Sequence, residues 1–374
     1  MVGHAGSNKF GKKAQSCIMK ILFLSRYARL GASSRVRMLQ YIPYLEDHGL
    51  RITASALFTD NYLRHYYQTG KKSLSEIVKS YLVRIAQLFN AGGYDLLWIE
   101  KELFPFLPSW GESVLELSGK PYVVDYDDAV FHNYDLHSSR AARSLLGRKI
   151  DTVMRRAAMV IVGNDYLADR ARRAGSKRVE YLPSVIDLDH YSGPSTKERK
   201  EDFVIGWIGS PSITYYLKVI EPALHEICKD RKTKLVLVGA GNIDLPGVPC
   251  EMRTWSEETE VEDIRQFDAG IMPLPDTPWE RGKCGFKLIQ YMACGLPVVA
   301  SPIGVNVKIV EQGGNGFLAA TKDEWCRALG TLRDSPDLRR SQGAAGRRKV
   351  EQEYCLQVTA ARLHNLLRSA SKRQ

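Results

Sequence analysis

Residues 279–301 read Trp279-Glu-Arg-Gly-Lys-Cys-Gly-Phe-Lys-Leu-Ile-Gln-Tyr-Met-Ala-Cys-Gly-Leu-Pro-Val-Val-Ala-Ser301. The pattern predicts a glycine-containing loop, a short helix that begins near Phe286, a glycine at the helix end, and a β-branched strand after Pro297. Lys283 and Lys287 lie in the loop and the first helical turn. Because a helix N-terminus presents free N–H groups and partial positive charge, this arrangement suits a diphosphate. The alternative is an ordinary helix start with two solvated lysines.

On both sides of this stretch, short β-branched or aromatic runs alternate with segments whose apolar residues recur at helical spacing. This alternation is typical of parallel sheets flanked by helices, and it predicts an α/β protein of two Rossmann-like domains with a ligand cleft between them. We predict strands at 20–25, 51–58, 95–100, 121–126, 159–163, 179–182, 203–208, 234–238, 269–272 and 297–300. We predict helices at 33–46, 74–89, 139–156, 166–174, 213–228, 261–267, 286–294, 323–332, 336–353 and 356–369.

The domain boundary is predicted from composition. Residues 191–202 are polar, rich in helix breakers and without an apolar face, which is typical of an interdomain linker. The first domain then spans 19–190, the second spans 203–353, and a last helical segment covers 354–374. Residues 1–18 are polar and basic without an apolar core, so we expect a disordered extension there and no secretory signal.

Length and composition limit the class of protein. The chain has 374 residues, of which 44% are hydrophobic and 25% are charged, as in soluble globular proteins. No apolar run approaches the roughly 18 residues of a membrane span. The seven cysteines are scattered and contain no C-x-x-C pair. This predicts reduced thiols in the cytoplasm, with neither a disulfide framework nor a zinc site.

The net charge of +11 is unevenly distributed. Between Arg140 and Arg178 there are eleven basic and three acidic residues, a net charge of +8. Such a segment suits an anionic membrane surface or acidic ligands. No aromatic platform accompanies it, so we do not expect nucleic-acid binding. The simpler interpretation is a solvated helix surface.

The run Tyr291-Met-Ala-Cys-Gly-Leu-Pro-Val-Val299 resembles the donor-binding segment of retaining GT-B glycosyltransferases of the family-4 type, the glycosyl transferases group 1. Most members carry two glutamates around the preceding turn. This chain has Gly282 and Gln290 in their places, within the variant Gly-Lys-Cys-Gly-Phe-Lys of residues 282–287.

The resemblance implies roles for several residues. Lys283 and Lys287 would hold the donor phosphates, Gln290 would bind the ribose by hydrogen bonding, and Glu280 would replace the missing first glutamate near the sugar. The reaction would move a sugar from a nucleotide-diphosphate sugar to an acceptor hydroxyl with retention, in polysaccharide or glycolipid synthesis. No metal or other cofactor would be required. The last helix would pack back on the first domain.

The loop after the first strand is a second candidate. Gly31 permits close approach of a ligand, Ser33 or Ser34 can cap a helix, and Arg35 falls within its first turns. The loop resembles the glycine-rich first loop of GT-B enzymes, which faces the diphosphate. Taken alone the signal is weak, because capped helix starts are ubiquitous and no complete G-x-G-x-x-G is present.

A strand that ends in carboxylates and a histidine is the third candidate. Asp127, Asp128 and His132 follow the predicted strand 121–126 and suit acceptor-hydroxyl binding or proton removal. By resemblance, this loop borders the reacting sugar. The alternative is that the carboxylates anchor the turn and that His132 is an ordinary loop histidine.

Two positions in the second domain complete the predicted donor site. Gly209 and Ser210 follow the first strand of that domain and present N–H and hydroxyl donors to phosphate. Trp255 lies where the family cradles the nucleobase, although a core or surface tryptophan is the more common role. The run 238–247 lacks the third glycine of a dinucleotide fingerprint, which argues against NAD binding.

The missing glutamates leave a second hypothesis open. A GT-B-like binding protein or partner subunit without catalysis would show the same fold and lack nucleotide binding.

Overall fold

The computed structural model describes residues 18–117, 119–192, 202–229 and 232–371. The predicted N-terminal extension lies outside this part of the chain except for its last residue. Within the predicted linker, residues 193–201 also lie outside it.

The first half of the chain builds a parallel sheet with the strand order β2-β1-β3-β4-β5-β6. Its two central neighbours, β1 and β3, are paired from Ile21 opposite Leu96 to Leu24 opposite Ile99. These side chains are buried, as expected for a sheet covered by helices on both faces. The strands are β1 (Met19–Tyr27), β2 (Leu50–Phe58), β3 (Leu96–Glu100), β4 (Tyr122–Tyr126), β5 (Met159–Val162) and β6 (Val179–Tyr181).

Helices cover both faces of this sheet. The predicted helix 139–156 is two helices, interrupted at Gly147 and Arg148. The α-helices are α1 (Ala32–Arg37), α2 (Ile42–Asp47), α3 (Asp60–Thr69), α4 (Leu74–Phe89), α5 (Trp110–Leu117), α6 (His132–Asp135), α7 (Arg140–Leu146), α8 (Lys149–Arg156) and α9 (Asp165–Arg173). Short 3-10 helices lie at Leu39–Tyr41 and Asn90–Gly93.

The second half builds a second parallel sheet with the order β12-β11-β10-β7-β8-β9. The two sheets and their helices therefore confirm the predicted α/β architecture of two Rossmann-like units. The strands are β7 (Phe203–Ile208), β8 (Thr233–Val238), β9 (Cys250–Arg253), β10 (Ala269–Met272), β11 (Val298–Ala300) and β12 (Gly316–Leu318).

The helices of the second half include one departure from the predictions. Residues 213–228 were expected to be one helix, but Pro211–Ile220 is a 3-10 helix that leads into α10. The α-helices are α10 (Glu221–Ile227), α11 (Glu260–Arg265), α12 (Pro278–Arg281), α13 (Phe286–Ala293), α14 (Asn306–Ile309), α15 (Lys322–Asp334), α16 (Pro336–Glu353) and α17 (Leu356–Ser371). No helix in the described residues has the length and apolar character that crossing a bilayer requires.

The last helix returns to the first sheet. In α17, Ala360 and Leu363 are buried in one cluster with Phe23 and Trp98 of the first sheet. The hydroxyl groups of Tyr41 and Thr359 lie 2.8 Å apart. The end of the chain thus packs on the sheet of the first half.

The strand orders fix where a ligand can bind. In each sheet the order reverses next to one central strand, β1 in the first and β7 in the second. Loops diverge at such a switch point and leave a crevice at the carboxyl ends of the strands. The loop before α13 contacts the loop after β4, so the two crevices face each other.

Candidate active site between the two sheets

The start of helix α13 is fixed by Gly285. Its φ of +69° is in the left-handed region, and a Cβ there would lie 2.3 Å from Cδ1 of Ile309. Only glycine fits this position without displacement. The chain can therefore turn directly into α13, whose first N–H groups have no partners within the helix.

Lys287 projects from the first turn of α13. Its Nζ lies 4.6 Å from the ring centroid of Trp207. No carboxylate in the described part of the chain forms an ion pair with it. Burial and the positive charge of Lys283 lower the pKa of Lys287 to about 7. This half-buried ammonium is ready to accept an anion.

The glycine loop after β7 lies against the same lysine. A Cβ at Gly209 would lie 3.1 Å from Cε of Lys287 and 2.5 Å from the ring of Trp207. The hydroxyl groups of Ser210 and Ser212 lie 2.9 Å apart on the exposed side of this loop. Gly209 and Lys287 are thus neighbours, as a shared phosphate site requires.

Trp255 lies at the border between the two halves. The guanidinium carbon of Arg35 is 4.8 Å from its ring centroid. The indole Nε1 donates a hydrogen bond of 2.8 Å to Oε2 of Glu260. One side of the ring therefore carries a cation from the first half, and its edge is fixed by a carboxylate of the second.

Gln290 is buried and belongs to the same group of side chains. Its Nε2 donates to the hydroxyl oxygen of Tyr191 at 3.0 Å and to Oε1 of Glu260 at 3.3 Å. Glu260 therefore brings a carboxylate beside the amide at position 290. Glu260 was not among the predicted site residues, because no local sequence pattern connects the start of α11 with α13.

The facing crevice in the first half centres on Lys101, a buried lysine with φ of +64°. Its Nζ lies 2.8 Å from Oδ1 of Asp127 and 3.6 Å from Oδ2 of Asp128, and it donates to Oγ of Ser33 at 3.0 Å. The hydroxyl of Ser33 in turn donates to Asp127. A left-handed lysine is costly and persists where the surroundings enforce it, commonly at functional sites.

These contacts set the charge of Asp127. Burial by itself would raise the pKa of Asp127, but Lys101 and the hydrogen bond from Ser33 outweigh it and lower the pKa to about 2. Below this pair, Nε of Arg37 lies 2.8 Å from Oδ1 of Asp125. Burial raises the pKa of Asp125 to about 6. The crevice therefore holds alternating charges that neutralise one another.

The N-cap of α1 is Gly31 and not the predicted Ser33 or Ser34, which lie inside the helix, and Gly31 lets the loop fold tightly on β1. A Cβ on it would lie 2.3 Å from Cβ of Tyr27. Ser34 then donates to Oε2 of Glu100 at 2.6 Å. Gly31, Ser33 and Arg35 are thus brought to the same edge of the sheet as Asp127.

Residues 282–284 connect the two crevices. Nζ of Lys283 lies 2.9 Å from Oδ1 of Asp128, and this carboxylate raises the pKa of Lys283 although burial opposes the charge. The Cys284 thiol donates to the carbonyl oxygen of Asp127 at 3.1 Å. A Cβ at Gly282 would lie 2.5 Å from that of Ala129. The position of the family's first glutamate therefore has no room for a side chain.

Comparison with known proteins decides the family of this site. Residues 202–334 match the family model of the glycosyl transferases group 1. Residues 202–334 therefore resemble a group 1 glycosyltransferase, and the chain has a GT-B fold. That match includes the turn 282–287 and α13, so the glycosyltransferase donor-binding segment and the unpaired Lys287 coincide.

Solved structures share the fold of this chain over both halves. HepE of Anabaena in complex with UDP-glucose is 17% identical with a TM-score of 0.70, covering 94% of this chain and all of that one. Sucrose-phosphate synthase of Thermosynechococcus elongatus is 16% identical with a TM-score of 0.70, covering 94% and 98%. A Listeria monocytogenes protein described as a putative UDP-N-acetylglucosamine 2-epimerase has 12% identity, a TM-score of 0.59 and coverage of 94% and 96%. No curated protein matches the sequence.

Two of the predicted site residues are engaged elsewhere. Glu280 is buried and accepts hydrogen bonds from Thr277 and from the Tyr216 hydroxyl, the latter at 2.5 Å. His132 has both ring nitrogens within 2.8 Å of Asp135 and Tyr166. Neither side chain joins the contacts of Asp127 and Lys283.

The residues of the described ranges contain no group of three or more His, Cys, Asp or Glu side chains arranged for a metal ion.

Proposed function

We propose that this glycosyltransferase moves a sugar from a nucleotide-diphosphate sugar to an acceptor hydroxyl, with retention of anomeric configuration. The observation that supports this most strongly is Lys287, an uncompensated ammonium at the first turn of α13 and beside the glycine loop. HepE, which shares the fold, binds UDP-glucose. The donor diphosphate would lie at the amino end of α13.

The chain's own donors would stabilise the leaving diphosphate. Lys287 and the free N–H groups of α13 point positive charge at one place, which is where negative charge grows as the sugar leaves. No metal or other cofactor is required in this scheme. Glu260 and Gln290 would bind the ribose hydroxyl groups, with Trp255 near the base.

The carboxylates of the first half suit binding better than proton removal. Asp127, with its pKa lowered to about 2, is a weak base at neutral pH. Asp128 is less enclosed and is held by Lys283. We therefore assign acceptor-hydroxyl binding to Asp128, and the donor diphosphate would take the acceptor proton.

The acceptor would be a glycan or a lipid-linked molecule of polysaccharide or glycolipid synthesis, reached in the cytoplasm at the inner face of the membrane. The basic segment Arg140–Arg178 would contribute long-range attraction to such a surface. Several of its arginines are already paired, as in Arg156 with Glu116 and Arg170 with Asp151.

Calorimetric titration with UDP-glucose and GDP-linked sugars tests the proposal. Binding accompanied by slow donor hydrolysis supports a glycosyltransferase that lacks its acceptor. Absence of binding by either nucleotide would favour the catalytically inactive partner subunit. Lys287→Met should weaken the binding. Lys218→Met is its matched control, because Lys218 is exposed and pairs with Glu221 at 2.9 Å.

A further inference from the structure

Helix α4 leaves one apolar face without a partner. Leu74, Val78, Leu82, Ile85 and Phe89 recur at intervals of three or four residues and are all exposed, Leu82 to 61% and Phe89 to 84%. A helix that packs within a domain turns such a stripe inward. All residues of α4 are described, and no acidic side chain is among its exposed ones.

The loop after β3 and helix α5 continue this face. Trp110, Val114 and Leu117 form a second exposed stripe, with Trp110 exposed to 68%. Between the helices, Phe106 is half exposed although its φ is +61°, a strained conformation for an aromatic residue. Tyr81 of α4 donates to the carbonyl oxygen of Pro105 at 2.5 Å and so joins the helix to this loop.

Among the described residues, the fully exposed charges around the face that have no ion-pair partner are positive. Lys71 and Lys72 precede α4, and Lys79 lies on its exposed side. Nζ of Lys72 lies 5.8 Å from the ring centroid of Phe106. None of these three ammonium groups pairs with a carboxylate among the described residues. Glu116, the exposed acid of α5, is neutralised by Arg156 at 2.8 Å.

We propose that this face, formed by α4, the Phe106 loop and α5, seats the protein on an anionic membrane surface. Apolar side chains would enter the boundary between headgroups and acyl chains, with Trp110 and Phe106 at headgroup level and the lysines on the anionic lipids. A second copy of the chain fits less well, because pairing two such faces brings lysines together. Exposed apolar patches of this extent mark interaction sites.

The face also bears on the substrate. The Phe106 loop follows β3, whose end carries Glu100 and Lys101 of the cleft. Membrane seating would therefore bring the acceptor side of the cleft to the bilayer, which favours a lipid-linked acceptor. This step rests on the proposed glycosyl transfer, whereas the membrane contact itself does not.

Flotation of the full chain with vesicles tests the contact. We expect binding to vesicles that contain phosphatidylglycerol and weaker binding to phosphatidylcholine alone. The double variant Leu82→Gln/Phe89→Gln should lower the partition coefficient by about tenfold or more. Lys71→Gln/Lys72→Gln should lower binding to anionic vesicles and weaken its dependence on salt. Val358→Gln, at an apolar residue of α17 that is 49% exposed, is the control and should bind like the wild type.

Three measurements make the outcome decisive. Trp110 emission should shift to shorter wavelength on vesicles, a change that Trp110→Phe removes. UDP-glucose titration of the double variant should match the wild type, which separates loss of the face from loss of the donor site. Absence of flotation, binding unaffected by the α4 substitutions, or a dimer in sedimentation that shields Trp110 would each overturn the proposal.

Discussion

The two faces of the cleft handle charge in opposite ways. In the first half, Lys101 is within ion-pair distance of both Asp127 and Asp128, and Arg37 is paired with Asp125. In the second half, Lys287 is half-buried without an anion. A self-neutralised face is rigid and stable on its own, whereas an uncompensated cation is a standing cost that a bound anion removes. The face from the first half therefore suits the orientation of a ligand, and the face from the second half suits the binding of an anion.

Breaking the first face should give the largest effect. Lys101→Met leaves Asp127 and Asp128 without their buried cation, and we expect the free energy of unfolding to fall by about 3–5 kcal/mol. Urea denaturation at neutral pH measures it. Because the pKa of Asp127 is depressed, its stabilisation is present above about pH 4 and lost as pH falls through about 2. The difference from wild type should shrink over that range, and a constant difference would contradict the assignment.

Substitution of Lys287, in the face from the second half, should weaken ligand binding without lowering the free energy of unfolding. Lys287→Met should weaken UDP-glucose binding by about 30- to 300-fold, because a charge-assisted contact in a half-buried site is lost. The free energy of unfolding should stay level or rise, since an unpaired ammonium no longer needs to be desolvated. Lys287→Arg should keep much of the affinity. Calorimetry measures the expected loss of affinity, and urea denaturation measures the expected free energy of unfolding. Equal affinity in the wild type, Lys287→Met and Lys287→Arg would refute the phosphate site.

The pKa of Lys287 predicts how UDP-glucose affinity depends on pH. Because it lies near 7 in the free protein, the side chain is charged below that pH and loses its proton above it. UDP-glucose affinity should therefore fall with rising pH, by up to about tenfold per pH unit above 7. Lys287→Arg should flatten this profile, because arginine stays protonated. A wild-type profile that is flat from pH 6 to pH 9 would exclude Lys287 as the titrating group.

The smallest effect should come from the pair that joins the faces. A double-mutant cycle of Lys283→Met and Asp128→Asn should give a coupling of about 0.5–1 kcal/mol in unfolding, since the pair is partly solvated. Saturating UDP-glucose should reduce the coupling, because the diphosphate competes for Lys283. Coupling that persists unchanged with ligand would show that Lys283 has only a structural role.

Much of the fold followed from local pattern. Helices at 74–89 and 336–353 were predicted at the bounds that α4 and α16 have, because their lengths and caps are written in neighbouring residues. Strand β12 was not among the predicted strands. It is short and lies at a sheet edge, where pairing with a neighbour rather than periodicity defines the strand.

The site was predicted less completely. The sequence drew attention to both lysines of the turn 282–287 and treated them alike. The two lysines differ because of Asp128, which lies more than 150 positions away in the chain. Asp128 pairs with Lys283 and not with Lys287. Lys101 and Glu260 were missed for the same reason, because a single charged residue has no local pattern that reveals its partners.

The sequence by itself determined the alternation of strands and helices, the glycine that starts α13 and the family of the donor segment, because each depends on residues close together in the chain. Tertiary structure alone decided which charges are cancelled and which remain available. It also decided that the apolar stripe of α4 faces outward, since helical periodicity is the same whether the stripe meets a core or a membrane. Electrostatics and burial are properties of residues brought together from distant parts of the chain, and no local pattern encodes them.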